Sequence, residues 1–386
     1  MEEWKEYKLG EVCSRLRSGK GIKANSVFNT GRYPVIGGNG VRGYANESNF
    51  EGQAAIIGRQ GAYCGNVRFF EGEAYMTEHA VVAVGNELAD TRFLACLLSI
   101  MHLGNLSAQS AQPGISVQTL SKQIVRLPSV SYQKKVSKII KSLDDKIEVN
   151  KRINDNLEQQ AQALFKSWFI DFDPFKGGEF EETELGFIPK DWEVVSLSAI
   201  ADYINGLAMQ KYRPTDGESG IPVLKIKELG QGRTDDSSEL CSPSLIGSKY
   251  IIDDGDIIFS WSGTLMVKVW CGGKCGLNQH LFVVKPKEYP QWFAYQWTKH
   301  HLDNFIHIAK DKAVTMGHIK RGELDKAKVV VPDETNMATI DLMMKPIHNQ
   351  IISNMKESRR LASLRDTLLP RLMSGELKVN EIENVI

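Results

Sequence analysis

Val136, Ile140, Leu143, Ile147, Asn150, Asn154, Leu157, Ala161, Leu164 and Trp168 follow one another at alternating steps of four and three. They lie in the run that opens Gln133-Lys-Lys-Val-Ser-Lys-Ile-Ile-Lys-Ser-Leu143. That spacing is a heptad seam and predicts a long helix over 133–170. A second seam stands 204 residues later: Ile340, Met344, Ile347, Ile351, Asn354, Ser358, Leu361, Arg365, Leu368 and Leu372. It predicts a helix over 333–375, with a kink or restart at Lys345-Pro346, where proline removes a backbone donor. Asn150 and Asn354 coincide between the seams, and a polar seam residue gives up stability to fix register. About 36 residues at 1.5 Å each make a rod of ~54 Å. One such run alone reads as a long core helix. Two runs with a matched Asn point to helices that pair with each other.

The sequence on either side of these helices repeats as well. Trp4-Lys-Glu-Tyr-Lys-Leu9 resembles Trp192-Glu-Val-Val-Ser-Leu197, at an offset of 188. Ala55-Ile-Ile-Gly-Arg-Gln-Gly61 resembles Ile257-Ile-Phe-Ser-Trp-Ser-Gly263, and Thr77-Glu-His-Ala-Val-Val82 resembles Asn278-Gln-His-Leu-Phe-Val283. Ile124-Val-Arg-Leu-Pro128 matches Lys328-Val-Val-Val-Pro332. The expected organisation is a globular domain over 1–132, the first helix over 133–170 and a Gly-, Pro- and acid-rich linker over 171–187. A second domain over 188–332, the second helix over 333–375 and a tail over 376–386 complete it. The fold class is α+β with a pseudo-twofold internal repeat. Antiparallel pairing would place the two domains at opposite ends of the coiled coil.

The chain has 386 residues, 42% hydrophobic and 24% charged, which excludes disorder throughout. No apolar stretch approaches the ~20 residues of a spanning helix, and Met1-Glu-Glu-Trp-Lys-Glu6 lacks the order of a signal peptide. A cytoplasmic location is expected. Lys and Arg total 47, as do Asp and Glu, so nucleic-acid binding would rest on local patches or a partner's help. The six cysteines make no disulfide scaffold. Cys271-Gly-Gly-Lys-Cys275 with His280 is too few ligands for a zinc site, and Asp171 with Asp173 reads as a solvated turn before a metal pair.

Motifs for reaction chemistry are missing. There is no Gly-rich loop ending in Lys-Ser or Lys-Thr, no Gly-x-Ser-x-Gly elbow and no His-Glu-x-x-His. Gly37-Gly-Asn-Gly40 is a turn signal. His79 and His280 occupy equivalent places in the repeat and read as strand-supporting residues. Asp253-Asp-Gly-Asp256 is the one dense acidic cluster, a turn in the first reading and a nuclease site in a competing one. Two unequal domains and a stiff spacer therefore indicate binding or scaffolding.

Between the repeated strands lie loops rich in side chains that hold phosphates and read base edges. The first copy offers Lys20, Lys23, Asn39, Arg42, Arg59, Gln60, Tyr63, Gln109 and Gln112. The second offers Lys211, Arg213, Lys225, Lys227, Arg233, Trp261, Thr264, Lys268 and Lys312. Solvated loops of any protein carry such residues too. A coiled-coil adaptor with two protein-binding domains is the alternative.

The chain resembles the specificity subunits of type I restriction-modification systems over nearly its whole length. The resemblance is carried by Ile36-Gly-Gly-Asn-Gly-Val-Arg-Gly-Tyr-Ala-Asn46, Ile57-Gly-Arg-Gln-Gly-Ala-Tyr63, Ala163-Leu-Phe-Lys-Ser-Trp-Phe169, Leu185-Gly-Phe-Ile-Pro-Lys-Asp-Trp192 and Thr367-Leu-Leu-Pro-Arg-Leu-Met-Ser-Gly375, in that order. It implies two target-recognition domains, each reading half of a split double-stranded DNA target. It implies a helical spacer that docks modification (methyltransferase) subunits, two of them, and a restriction subunit. S-adenosylmethionine, ATP and Mg would belong to those partners, and this chain would bind no cofactor and catalyse nothing. Arg59 is the expected guanine reader. Gln60, Asn39, Gln109 and Gln112 are expected at adenines, and Lys20, Lys23, Lys211, Lys225, Lys227 and Lys268 at phosphates. Trp261 in place of Arg59 marks the halves as unlike.

Overall fold

The computed structural model describes residues 2–107, 114–311 and 317–379. Gln109, Gln112 and Lys312 lie outside them. The chain divides into two units, one made of Met1–Asp145 with Ala362–Ile386, the other of Lys146–Leu361.

In the first unit, β1 (Lys5–Lys8) pairs antiparallel with β8 (Ile124–Leu127). Strands β2 (Cys13–Ser18), β3 (Tyr33–Gly37), β4 (Gly40–Ala45), β5 (Phe50–Gly58), β6 (Val67–Met76) and β7 (Ala80–Gly85) form one sheet in the order β2-β7-β5-β6-β3-β4. Alternate residues explain the sheet's two buried faces. Ala55, Ile57, Val81 and Ala83 face a core completed by the helix Thr91–Ile100, whereas Ala54, Ile56, Ala80 and Val82 face a smaller cluster around Met76. Asp90 caps that helix, accepting from the Phe93 N–H at 2.9 Å.

The second unit opens with a hairpin, β9 (Phe180–Thr183) and β10 (Gly186–Pro189). The segment expected to be a linker is thus partly folded. Phe172 and Phe175 pack edge-on against Trp192, and Ile188 is buried in the core. Asp171 pairs with Lys166, and Asp173 with Lys176 at 2.6 Å and Ser167 at 3.0 Å. Strands β11 (Glu193–Ser196), β12 (Ala201–Asn205), β13 (Ile221–Leu224), β14 (Leu240–Cys241), β15 (Ile251–Ile252), β16 (Ile257–Ser260), β17 (Met266–Val269), β18 (Cys275–Leu277), β19 (Leu281–Pro286) and β20 (Lys328–Val331) follow. The β11–β20 pair repeats β1–β8, and the order β12-β19-β16-β17 repeats β2-β7-β5-β6. The long β6 of the first copy is split here into β17 and β18 by Trp270-Cys-Gly-Gly-Lys, so one sheet becomes two. Cys271 lies within this break and Cys275 just after it, both as buried thiols, their pKa values pushed up by burial to about 11 and about 12. His280, their sequence neighbour, faces Ser262 at 3.2 Å.

Two helices of matching length, Val130–Phe169 and Glu334–Ser374, run through both units. The second runs as one helix across Lys345-Pro346, where a kink or restart was expected, so there is no restart. In the first unit their segments pair antiparallel: Arg365 donates to Asp144 at 2.9 Å, and Tyr132 to the Leu377 carbonyl at 3.3 Å. Arg92, stacked 3.8 Å over the Phe69 ring, also faces Asp144 at 3.7 Å and so joins the sheet to both helices. Leu377 and Val379, expected in a tail, pack into this unit's core. In the second unit the pairing is also antiparallel. Asn150 donates to Glu357 at 2.7 Å, and Asn154 to the Ile351 carbonyl at 3.1 Å. Asn354 donates to Asn154 at 2.8 Å. Asn150 and Asn354 are both buried and each finds a cross-helix partner, though not the other.

His348 adds a pH dependence to this second pairing. It is 6% exposed, its Nε2 has no partner, and burial pulls its pKa down to about 4. The folded ring stays neutral where the unfolded one charges. The resulting stability is whole above pH ~6.5 and is lost as pH falls toward 4, by up to about 3 kcal/mol. Thermal unfolding of wild type between pH 7 and 4.5 should therefore show a fall in midpoint that His348→Met reduces. Equal falls in the two proteins would refute the assignment.

Candidate nucleic-acid interface

One end of the first unit's sheet collects loops from five places in the chain. After β2, the Gly19 and Lys20 N–H groups donate to Ala80 and Met76 carbonyls at 3.0 and 2.9 Å. After β5, the Arg59 N–H donates to the His79 carbonyl at 2.9 Å, and the Arg59 carbonyl accepts from Ile115 at 3.0 Å. The β3–β4 turn lies against both. A Cβ at Gly38 would sit 2.9 Å from the His79 carbonyl and 3.2 Å from the Gly58 Cα; one at Gly58 would sit 2.4 Å from the Tyr63 carbonyl. Only glycine lets these loops approach so closely.

The expected DNA-contact residues of this unit differ in exposure. Lys20, Lys23, Asn39, Arg42, Gln60 and Tyr63 are exposed, and Arg59 is half-buried. None of Lys20, Lys23, Arg42 and Arg59 has a carboxylate within 4 Å among the described residues. Their charge is available to a ligand. Sequence reasoning missed Arg68, which donates to Asn39 at 3.2 Å, and the contacts of His79. His79 Nδ1 lies 3.1 Å from Gln60 Oε1, and Nε2 lies 3.2 Å from Glu78.

The second unit repeats this frame with other side chains. Trp261 takes the place of Arg59, and its carbonyl accepts from Ile319 at 3.2 Å. Its indole stacks on Phe282 at 5.6 Å and donates to Asn205 at 2.9 Å. His280 Nδ1 faces Ser262 Oγ at 3.2 Å, and its Nε2 faces Gln279 at 3.3 Å. Lys211, Arg213, Arg233 and Thr264 are exposed, and none of the three cations has an ion pair among the described residues. Three expected phosphate anchors are engaged instead. Lys225 pairs with Glu239 at 2.7 Å, Lys227 bonds Ser237 at 3.0 Å beside Asp235, and Lys268 donates to the Gly230 carbonyl at 2.8 Å. Burial lowers the pKa of Lys268.

The acidic cluster is structural. Asp254 binds Arg359 of the second long helix through both oxygens, at 2.6 and 2.8 Å, and accepts from the Gly273 N–H at 2.9 Å. Asp256 pairs with Lys285 at 2.5 Å and accepts from the Asp253 N–H at 2.9 Å. Carboxylates held this way fix a turn and dock a helix, which sets aside the nuclease reading.

Fold and site together define a duplicated α+β binding protein with donor-rich loops on each copy. The type I restriction modification DNA specificity domain matches residues 1–159 and 189–358, and the chain belongs to that family. It is 28% identical over 291 residues to the Type I restriction enzyme MjaIX specificity subunit of Methanocaldococcus jannaschii, covering 73% of this chain and 67% of that one. It is 24% identical to the Type I restriction enzyme HindI specificity subunit of Haemophilus influenzae, covering 98% and 100%. The crystal structure of a Type-I restriction-modification system S subunit from M. genitalium shares the fold, with a TM-score of 0.59 at 14% identity over 96% of each chain.

Proposed function

We propose that this chain is the DNA-specificity subunit of a type I restriction-modification enzyme. Each unit reads one half of an asymmetric bipartite target in double-stranded DNA, and the paired helices set the gap. Methyl transfer and ATP-driven restriction belong to modification and restriction subunits that dock on it, and S-adenosylmethionine, ATP and Mg act there. The chain itself recognises and does not catalyse. Among its described residues no helix is long and apolar enough to cross a membrane.

What carries this reading is the duplicated clamp. The same backbone frame presents Arg59 and Gln60 in one copy and Trp261 and Ser262 in the other. A shared frame with unlike side chains suits two readers of unlike sequences. An adaptor has no need of unpaired cations beside amide side chains, and family membership also favours DNA. The test is a binding selection on duplexes with both half-sites and the gap randomised, using the full-length chain with its modification subunits. A split consensus is expected. Arg59→Ala should relax one position of the first half-site by about 1–3 kcal/mol, roughly 5- to 150-fold, and leave the second half-site intact. Binding without sequence preference would defeat the proposal.

A further inference from the structure

Strand β2 carries two arginines on one face. Leu16, between them, packs into the main core of the first unit, as does Ala83, its partner on β7. Arg15 and Arg17 therefore take the other face, opposite Val84 and Val82. Their backbones stand about 7 Å apart. β2 is an edge strand, with no further strand beside it among the described residues. Arg17 is exposed and Arg15 half-buried, its guanidinium 5.1 Å from the centre of the Phe50 ring. Neither side chain has a hydrogen bond or an ion pair among the described residues, and the Arg15 Nε is buried without a partner. Burial and the like charge of Arg17 pull the Arg15 pKa down. Two cations that repel each other and lack a counter-charge call for an anion from outside the chain.

We propose that Arg15 and Arg17 form a phosphate anchor that holds the DNA backbone beside the first half-site without reading bases. This rests on the DNA reading above and deepens it. β2 leads directly to Lys20, which is exposed and has no carboxylate within 4 Å among the described residues, so strand and loop make one basic track. At about 3.4 Å per residue, Arg17 and Arg15 stand roughly 10 and 17 Å behind Lys20. The major groove is about 8.5 Å deep. A loop that reaches the groove floor therefore leaves these two guanidiniums level with the backbone outside it. There a guanidinium meets a phosphate through two parallel N–H···O bonds. The second unit has no such pair. Its β12 and β19 match β2 and β7, and Asp202 and Ile204 stand opposite Lys285 and Val283 where the arginines stand opposite Val84 and Val82. Asp202 is paired with Lys287 at 3.6 Å. The anchor serves one half of the target only.

The experiment measures affinity against salt concentration for the full-length chain with its modification subunits, on a duplex carrying both half-sites. Two neutralised phosphates contribute about 1.8 to the slope of log affinity against log salt. Arg15→Gln combined with Arg17→Gln should flatten the slope by about that amount and weaken binding about 60-fold at about 0.1 M salt. Both half-site sequences should stay as in wild type. Arg17→Gln alone should give about half the change in slope, and Arg17→Lys should keep the wild-type slope. Should Arg15→Gln erase the first half-site by unfolding the unit, the exposed Arg17 decides alone. An unchanged slope overturns the inference. So does a changed base preference in the first half-site, which would make the pair a reader. Loss of the modification subunits from the complex, with the slope intact, would assign the arginines to an acidic protein surface instead. A wild type with no sequence preference would defeat the DNA reading itself, and the anchor with it.

Discussion

Replacing Phe169 by alanine is expected to cost the second unit about 3–5 kcal/mol. Phe169 is 1% exposed at the end of the first long helix. Its ring meets Phe165 at 5.1 Å, Phe293 at 5.5 Å, Trp192 at 5.9 Å, Trp297 at 6.0 Å and Trp292 at 6.2 Å. Truncation removes the transfer free energy of a large ring and leaves a cavity among neighbours too rigid to close it. Domain stabilities run near 5–15 kcal/mol, so the loss takes a large share. Three of the contacting rings are tryptophans, which makes fluorescence in a denaturant titration the direct readout. In the selection assay the variant should lose the second half-site and keep the first. An unchanged unfolding midpoint would show that this aromatic cluster does not hold the helix to the domain.

The long helices were legible because burial imposes a period on sequence. Val136, Ile140, Leu143, Ile340 and Met344 of the expected seams are buried. The seam then drifts: Phe165 and Phe169 are buried where Leu164 and Trp168 stood in the strict heptad, and those two are half-buried. A straight helix of 3.6 residues per turn slips ~20° per heptad, which hands the contact to the next residue. The hairpin after the first helix was hidden by composition, since Gly, Pro and acids mark tight turns and open linkers alike. Loop chemistry was enough to nominate Arg59, Gln60, Asn39 and Lys20 as candidates. The engagement of Lys225, Lys227 and Lys268 was not, because Glu239, Ser237 and Gly230 reach them only after folding. The repeat had already singled out His79 and His280; their contacts with Gln60 and Ser262, 19 and 18 residues away, appear only in the fold.

A seven-residue insertion placed in both long helices, after Asp145 and after Leu361, is expected to change the tolerated gap and not the half-site sequences. These points mark the division between the units. On one side lie the Asp144–Arg365 contact, on the other the Asn150–Glu357 and Asn354–Asn154 contacts. Seven residues are close to two helical turns, so the seam returns in phase and these contacts can reform. The insertion adds about 10.5 Å to each helix, near the rise of three base pairs at 3.4 Å each. The preferred gap should lengthen by about that amount. Three base pairs also turn the duplex by roughly 100°, at about 10.5 base pairs per turn, so the original gap can no longer offer both half-sites to their loops. Each lost base contact is worth about 1–3 kcal/mol, and affinity for the original gap should fall by about two orders of magnitude. Inserting the heptad in one helix alone mismatches the seams and should lower stability without creating a new gap preference. If the doubly inserted chain keeps its parent's gap, the paired helices do not set the spacing, and some other element of the complex must.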